Sequence, residues 1–400
     1  MNCIKNISHQ VDPSSRVVSI VMPCLNEAET LPVCIKKAWK GLNLDGIKGE
    51  VIVADNGSTD GSVDIALSRG ARVVNVKEKG YGNALRCGIE AAGGQFIVIG
   101  DADDSYDFSN IEAFIRKLEG GYDLVMGCRM PQWGGKIETG AMPWKHRWIG
   151  NPVLSFIGRL FFKSSIHDFH CGLRAFTKKA YEKMDLHTAG MEFASEMVIK
   201  ATLNNLRVCE TPITLFKDGR TRPPHLRSWR DGWRHLRFML LFSPKWLFLY
   251  PGLILMILGL ALSAWLLPGP RNIGFTTLDI HTLLYACVAL LTGFQAFSFS
   301  IFAKLFAVIE DFHPNSPRID HFMNSISLET GVIIGTILSL LGIAGSVYAV
   351  TIWGSHSYGP LVPSKMLRII LPSTTLFIIG IQTILSSFLL SVICIKKIQN

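Results

Sequence analysis

Three short segments of this chain carry side chains that could do chemistry, and each follows a strand-like run. Asp101-Ala-Asp103-Asp104 comes directly after Gln95–Gly100, Asp55-Asn-Gly-Ser-Thr-Asp60 after Glu50–Ala54, and Pro23-Cys-Leu-Asn-Glu27 after Val17–Met22. Two carboxylates one residue apart, just beyond the apolar Phe96–Ile99, suit a hard cation. Magnesium takes one or two carboxylates and completes its shell with substrate phosphate oxygens. A diphosphate leaving group needs that positive charge as its bond breaks. The pair therefore reads as metal-binding and not as a general acid and base. Singly, each segment has a plainer reading: Asp55-Asn-Gly-Ser is also a turn with a helix N-cap, and Asp101-x-Asp103 is also a solvated loop. The weight lies in their convergence.

The elements that must position them alternate. Val17–Met22, Glu50–Ala54, Ala71–Val76, Gln95–Gly100 and Asp123–Met126 have strand patterns, and Glu27–Leu42, Gly61–Ser68, Asn83–Ala92 and Asn110–Leu118 have helical ones. This alternation predicts an α/β domain, a mostly parallel sheet flanked by helices. Such sheets bind ligands at the carboxyl ends of their strands, where the three segments fall. The glycine-rich dinucleotide fingerprint is absent after the first strand, and Gly80-Tyr-Gly-Asn-Ala follows the third strand without the last glycine.

Composition divides the 400 residues. The part before about Lys245 mixes charged, glycine and apolar residues; a domain of roughly 220 residues buries a core without disulfides. Beyond it, 246–267, 283–303, 331–353 and 369–395 lack Asp, Glu, Lys and Arg for the ~20 residues a membrane span requires. The expected organisation is an extension (1–14), a catalytic domain (15–216), a basic amphipathic juxtamembrane segment (217–245) and a four-span domain (246–400). The net charge of +9 concentrates in that juxtamembrane segment, with Lys217, Arg220, Arg222, Arg227, Arg230, Arg234, Arg237 and Lys245 against Asp218 and Asp231. Beside a span, such a run favours anionic headgroups over nucleic acid. It also precedes span one, and Lys396 and Lys397 follow span four. Both sides then read as cytoplasmic, although Lys365 and Arg368 fall on the outer side of this topology. The first residues show no apolar signal segment, which predicts a catalytic domain left in the cytoplasm. The nine scattered cysteines lack a CxxC pair and suggest reduced thiols.

Val21-Met-Pro-Cys-Leu-Asn-Glu27, Val53-Ala-Asp-Asn-Gly-Ser-Thr-Asp-Gly61, Gly80-Tyr-Gly-Asn-Ala84 and Gly100-Asp-Ala-Asp103 resemble, in order and spacing, the successive signatures of family 2 glycosyltransferases of the GT-A fold. Gly127-Cys-Arg129, Arg147-x-x-x-Asn151, Asp168-Phe-His-Cys-Gly-Leu-Arg174 and Lys217-Asp-Gly-Arg-Thr-Arg222 resemble the polyprenyl-phosphate branch, the dolichyl-phosphate mannose and glucose synthases and their bacterial relatives. The resemblance covers about residues 15–245. It implies inverting transfer of a hexose, from UDP-glucose or GDP-mannose, to a polyprenyl phosphate at a bacterial-type inner or plasma membrane, for envelope or glycan assembly. It implies that Asp55 holds the nucleobase, with Pro23, Asn26 and Glu27 lining its pocket. Asp101 faces the ribose and metal region, and Asp103 binds Mg2+ or Mn2+. Arg129, Arg147 and Asn151 contact the acceptor phosphate; Lys217 and Arg222 neutralise the leaving diphosphate. Asp101, Asp103 and Arg129 are the catalytic candidates. Relatives often carry a glutamine metal ligand where this chain has Ser105, so Asp104 and Asp107 are candidate substitutes. A homo-oligomer is compatible with this reading.

A phosphate monoester is already anionic at neutral pH and attacks without a general base. The protein must instead bring two anions together, which calls for arginine forks; Arg129, Arg147 and Arg174 are candidates. Trp144–Phe162, basic and then apolar but too short to span, reads as a core helix or as an interfacial helix receiving a lipid. His167 and His170 lack a second pair for zinc and read as structural or donor-site groups. Glu192 and Glu196, one helical turn apart, read as a solvated face or as partners of the donor sugar or an arginine. Two rivals remain. A processive polysaccharide synthase would carry Gln-x-x-Arg-Trp, where this chain has Trp144-Lys-His-Arg-Trp148. A transporter with a regulatory nucleotide-binding domain would need more ionisable residues in its spans.

Overall fold

The computed structural model describes residues 16–43, 47–221, 228–309 and 328–398, and the chain divides into two units, Met1–Met239 and Leu240–Asn400. In the first unit β1 (Arg16–Cys24), α1 (Leu31–Leu42), β2 (Ile47–Asp55), α2 (Ser62–Ser68), β3 (Arg72–Asn75), α3 (Tyr81–Ala91) and β4 (Phe96–Ile99) alternate in chain order. There follow α4 (Glu112–Glu119), β5 (Leu124–Cys128), β6 (Lys136–Ile137), α5 (Asn151–Phe162), β7 (Arg174–Thr177), α6 (Lys178–Met184), α7 (Phe193–Leu203), β8 (Val208–Pro212), β9 (Thr214–Leu215) and α8 (Ser228–Leu241).

Seven strands form one sheet in the order β3-β2-β1-β4-β7-β5-β8, and β6 pairs separately with β9. β3, β2, β1 and β4 are parallel. β7 runs antiparallel between β4 and β5, and β8 is parallel to β5. Val18, Ile20, Val21 and Met22 of β1 have no exposed surface. That is why its sequence is apolar from Val17 to Met22 apart from the buried Ser19: helices cover both faces of a central parallel strand. α1 turns Leu31, Cys34, Ile35, Ala38 and Leu42 inward, the spacing of an amphipathic helix. Gly88 lets α3 lie close to the sheet, because a Cβ there would come within 2.5 Å of Val21 Cγ1.

The helix expected from Glu27 begins at Leu31. Asn26 adopts φ +59°. The Glu27 amide donates to Ser62 Oγ (2.9 Å) and the Ala28 amide to Asp60 Oδ2 (3.0 Å). Side chains from beyond β2 thus hold amides that a helix start would leave unsatisfied.

Among the described residues, the second unit contains four helices long and apolar enough to cross a membrane: α9 (Tyr250–Leu266), preceded by a π turn at Lys245–Leu249, α10 (Ile280–Ile309), α11 (Leu328–Ser355) and α12 (Pro363–Ile398). The hairpin β10 (Arg271–Ile273) and β11 (Thr276–Leu278) joins α9 to α10. Arg368 bonds the Asp279 carboxylate and the Leu266 carbonyl, so one of the two cations out of keeping with the predicted topology has a fixed partner at that end of the unit. Small residues set the helix spacing, as in membrane bundles. A Cβ on Gly259 would meet the Ala286 carbonyl at 2.6 Å, one on Gly342 the Phe377 amide nitrogen at 2.5 Å, and one on Gly380 the Gly335 carbonyl at 2.6 Å.

Gly342→Val should therefore push α11 and α12 apart, at an overpacking cost of about 1–3 kcal/mol. The thermal midpoint of the full chain in detergent should fall. An unchanged midpoint would show that the two helices do not need this close approach.

Candidate active site

The chain runs outward from β1 through β2 to β3, then returns to the far side of β1 as β4. The connections leaving β1 and β4 diverge, and the crevice between their carboxyl ends is where such sheets take ligands. All three sequence segments lie on this edge, and hydrogen bonds make one wall of two of them. Asp55 is buried and accepts the amides of Gly57 (3.0 Å) and Ser58 (3.2 Å). The Asn26 amide donates to Ser58 Oγ, and Asn26 Oδ1 accepts the Thr59 amide, both at 2.8 Å. Asn56 ties this wall to the next connection, donating to the Glu78 carbonyl and accepting the Gly80 amide, each at 2.8 Å. Pro23 lies in the last part of β1, paired with Ala54 of β2.

The acidic segment after β4 forms the other side. Asp101 Oδ1 accepts the Tyr81 hydroxyl at 2.9 Å. Desolvation and the Asp103 charge push the Asp101 carboxyl up to about 6, with Tyr81, Arg220 and Arg174 opposing. Asp103 Oδ1 accepts the amide (3.1 Å) and hydroxyl (2.5 Å) of Ser105. Its Oδ2 lies 3.0 Å from Arg220 Nη2, and Arg220 Nε reaches Glu27 Oε2 at 2.9 Å. Asp104, at φ +65°, pairs with Lys37 at 2.7 Å. Asp107 caps the following turn through Ser109. Both candidate substitutes for the missing glutamine are thus committed elsewhere.

Among the described residues, no group of three or more His, Cys, Asp and Glu side chains is gathered for a metal. The site still fits an ion that keeps most of its ligands from substrate and water. Two carboxylates converge, one resists ionisation because it is desolvated and faces the charge of the other, and a guanidinium already stands where positive charge is wanted.

A second charged region, of paired arginines and carboxylates, is built by β5, β7 and β8. Arg129 follows β5, is buried, and donates Nε and Nη2 to Asp168 at 2.7 Å each; its amide takes the same carboxylate at 3.0 Å. Glu210 on β8 accepts the amides of His167 (2.8 Å) and Asp168 (2.9 Å) and pairs with His167 Nδ1 at 2.7 Å. Trp133 stacks on that imidazole at 3.6 Å, so His167 is a structural group. Arg174 is fully buried and donates to the carbonyls of Cys171, Ala194 and Phe169; its guanidinium is spent on main chain. The ring nitrogens of His170 are buried without hydrogen-bond partners, and its ring meets His235 edge-on at 4.7 Å. Burial and the neighbouring His235, Arg129 and Arg174 charges lower its pKa, so the ring is neutral.

Arg147 lies in a π turn, His146–Gly150, that leads into α5. Its Nε is buried without a partner, and its guanidinium lies 5.4 Å from the Trp148 ring. Asn151 Nδ2 has Met142 Sδ at 3.3 Å. Ser155, Gly158 and Phe162 face inward, whereas Trp148 (69%), Ile149, Val153, Phe156 (56%) and Leu160 are exposed along one side. Glu196 accepts the His187 and Thr188 amides and pairs with Lys200; Glu192 lies 3.9 Å from Arg234.

Of the two residues expected at the leaving diphosphate, Lys217 is exposed and Arg222 lies outside the described residues. The basic residue brought onto Asp103 is Arg220, which the sequence marked as one charge among eight. Tyr81 and Glu210 were also missed. No periodicity marks these three, because each acts through a contact across the fold.

The description "Glycosyl transferase family 2" matches residues 19–185, and "Glycosyltransferase family 2 C-terminal transmembrane region" matches residues 301–394. The low-salt glycan biosynthesis hexosyltransferase Agl6 of Haloferax volcanii is 37% identical over 381 residues, 93% of this chain and 88% of that protein. Glycosyltransferase AglJ of the same organism is 28% identical over 221 residues, 55% of this chain and 70% of that protein. A solved structure of glucosyl-3-phosphoglycerate synthase from Mycobacterium tuberculosis, in complex with Mn2+, uridine diphosphate and glucosyl-3-phosphoglycerate, aligns with TM-score 0.43 at 21% identity, over 56% of this chain and 78% of that one. With its mostly parallel, helix-flanked sheet and four apolar helices, this chain belongs to glycosyltransferase family 2, a GT-A-type catalytic domain followed by the family's C-terminal transmembrane region.

Proposed function

We propose that the chain is an inverting hexosyltransferase that moves a hexose from a nucleotide-sugar, UDP-glucose or GDP-mannose, to a polyprenyl phosphate on the cytoplasmic side of a membrane. The observation that carries this reading is the pair of charged groups beyond the strands, carboxylates after β4 and arginines after β5 and before α5. The acidic segment after β4 suits the metal-bound diphosphate of a donor, and the arginines after β5 and before α5 suit a phosphate acceptor. The hexosyltransferase name and glycan pathway of the Haloferax relative support a hexose and a role in glycan assembly.

In this reading Asp55, Asn26 and Glu27 form the nucleobase end of the crevice, stiffened by the hydrogen bonds among their loops. Asp103 with Asp101 would hold Mg2+ or Mn2+, which supplies positive charge for the leaving diphosphate. Arg147 brings an unspent guanidinium nitrogen to the acceptor phosphate, with Asn151 one helical turn further on and the Arg129–Asp168 pair completing the acceptor end. An acceptor phosphate oxygen attacks the anomeric carbon as the bond from that carbon to the diphosphate oxygen breaks. The nucleoside diphosphate leaves, and the sugar is linked to lipid through phosphate with inverted configuration. No general base is required. The exposed apolar side of α5 and the basic α8 are suited to the headgroup layer, where a polyprenyl phosphate presents its charge.

The direct test is incubation of the purified full chain with labelled nucleotide-sugars, polyprenyl phosphate and Mg2+ or Mn2+. Label should enter solvent-extractable lipid as a β-linked sugar when the donor is α-linked. Label entering only a polymer, or no labelled product with any hexose donor, would refute the reading. Asp103→Asn should lower transfer by about a hundredfold or more, the scale of a lost electrostatic contact at such a site, without altering the thermal midpoint; wild-type rates would remove Asp103 from the metal site. Arg147→Ala should raise the KM for the lipid acceptor by about tenfold or more, as for loss of one charge-assisted hydrogen bond, and leave the donor KM unchanged. A change confined to donor KM would place Arg147 on the wrong substrate.

A further inference from the structure

The segment Phe216–Thr221 crosses the acidic edge and is held there by main chain. The Phe216 amide donates to the Ser105 carbonyl and the Gly219 amide to the Asp103 carbonyl, each at 3.0 Å. The Thr221 amide (2.9 Å) and hydroxyl (2.7 Å) donate to Glu29. Between these anchors Arg220, with only 12% of its side chain exposed, spans Glu27 and Asp103. Ser105 occupies Asp103 Oδ1 and Arg220 occupies Oδ2, so both oxygens of the expected metal ligand are engaged.

We propose that Arg220 is the resting counter-ion of Asp103, that a divalent cation enters by displacing it, and that the displaced guanidinium is taken up by the diphosphate of the donor. This rests on the reading of the site as a nucleotide-sugar transferase. Two cations cannot share one carboxylate oxygen at contact distance without strong repulsion. Once it leaves Asp103, Arg220 needs another anion close by. A guanidinium fork matches phosphate oxygens, and the anchors on either side keep its Cα in place while its side chain turns. Each ligand then removes an obstacle to the other. The metal frees Arg220 for the diphosphate, and the diphosphate draws Arg220 away from the metal's ligand. Coupling of this kind must be reciprocal. It would also keep the ion from binding firmly before the donor arrives.

The test is Mn2+ binding by the full chain in detergent, followed through the paramagnetic resonance of free Mn2+, with and without UDP or GDP. In the wild type the nucleotide that binds should tighten Mn2+ binding by about tenfold or more, within the usual range of site-to-site coupling. Arg220→Gln should bind Mn2+ alone about tenfold tighter than the wild type, and the nucleotide should then add little. Arg220→Lys keeps the charge and loses the fork; its affinity for Mn2+ alone should stay near wild type while the coupling falls. If Arg220→Gln binds nucleotide but holds Mn2+ alone no more tightly than the wild type, or keeps the full coupling, Arg220 is not the displaced counter-ion. If neither UDP nor GDP binds the wild type with Mn2+ present, the transferase reading itself fails and this inference with it.

Discussion

A cluster of carboxylates at the end of a buried strand has to be neutralised, and much of the catalytic unit is arranged around that need. Glu27, Asp101 and Asp103 come from the two connections that diverge at the β1–β4 crevice, and a single guanidinium, Arg220, bridges Glu27 and Asp103. The Asp101 carboxyl is pushed up to about 6, mainly by desolvation and then by the Asp103 charge, with Tyr81, Arg220 and Arg174 opposing. Arg220 reaches the cluster because residues 216–221 bond to the backbone of the acidic segment itself. An ion at this place would serve the same need.

The reversed strand β7 organises the second charged region. It lies between β4 and β5 with Arg174 level with Ile99 and Met126. Arg174 holds carbonyls on the approach to β7 and at the start of α7, which fixes the loop carrying Asp168. That carboxylate in turn fixes Arg129, and Glu210 fixes the Asp168 loop from β8. Breaking such a chain at one member strands a buried charge, at a cost of about 3–5 kcal/mol for an ion pair. Its geometry is therefore rigid, in contrast to Arg147, whose Nε has no partner.

Much of this could be read in the sequence. β1, β2, β4 and β5 are apolar runs whose burial follows from their composition, and the acidic and turn-forming segments sit where those runs end. The four apolar helices were legible because bilayer thickness sets a length that few soluble helices reach. β7 and β8 were not: each is short, and β8 includes Glu210 and a proline. The start of α1 was misplaced because Glu27–Thr30 is compatible with a helix, and it is contacts from distant parts of the chain, among them the side chains of Asp60 and Ser62 arriving from beyond β2, that hold it in a turn. Among the arginines, sequence could say that several were needed, but not that Arg174 would be spent on main-chain carbonyls or that Arg220 would lie on Asp103. Those assignments depend on which loop crosses which, and no local pattern encodes that.

The central claim is that the carboxylates after β4 form a cation site whose resting occupant is Arg220. Crystals of the full chain grown with Mn2+ and the nucleoside diphosphate it binds would test this through the anomalous signal of manganese. The account predicts a manganese peak at Asp103, with the Arg220 guanidinium moved from Asp103 to the diphosphate. A bound nucleotide with no manganese peak at Asp103, and with Arg220 still paired to that carboxylate, would contradict it.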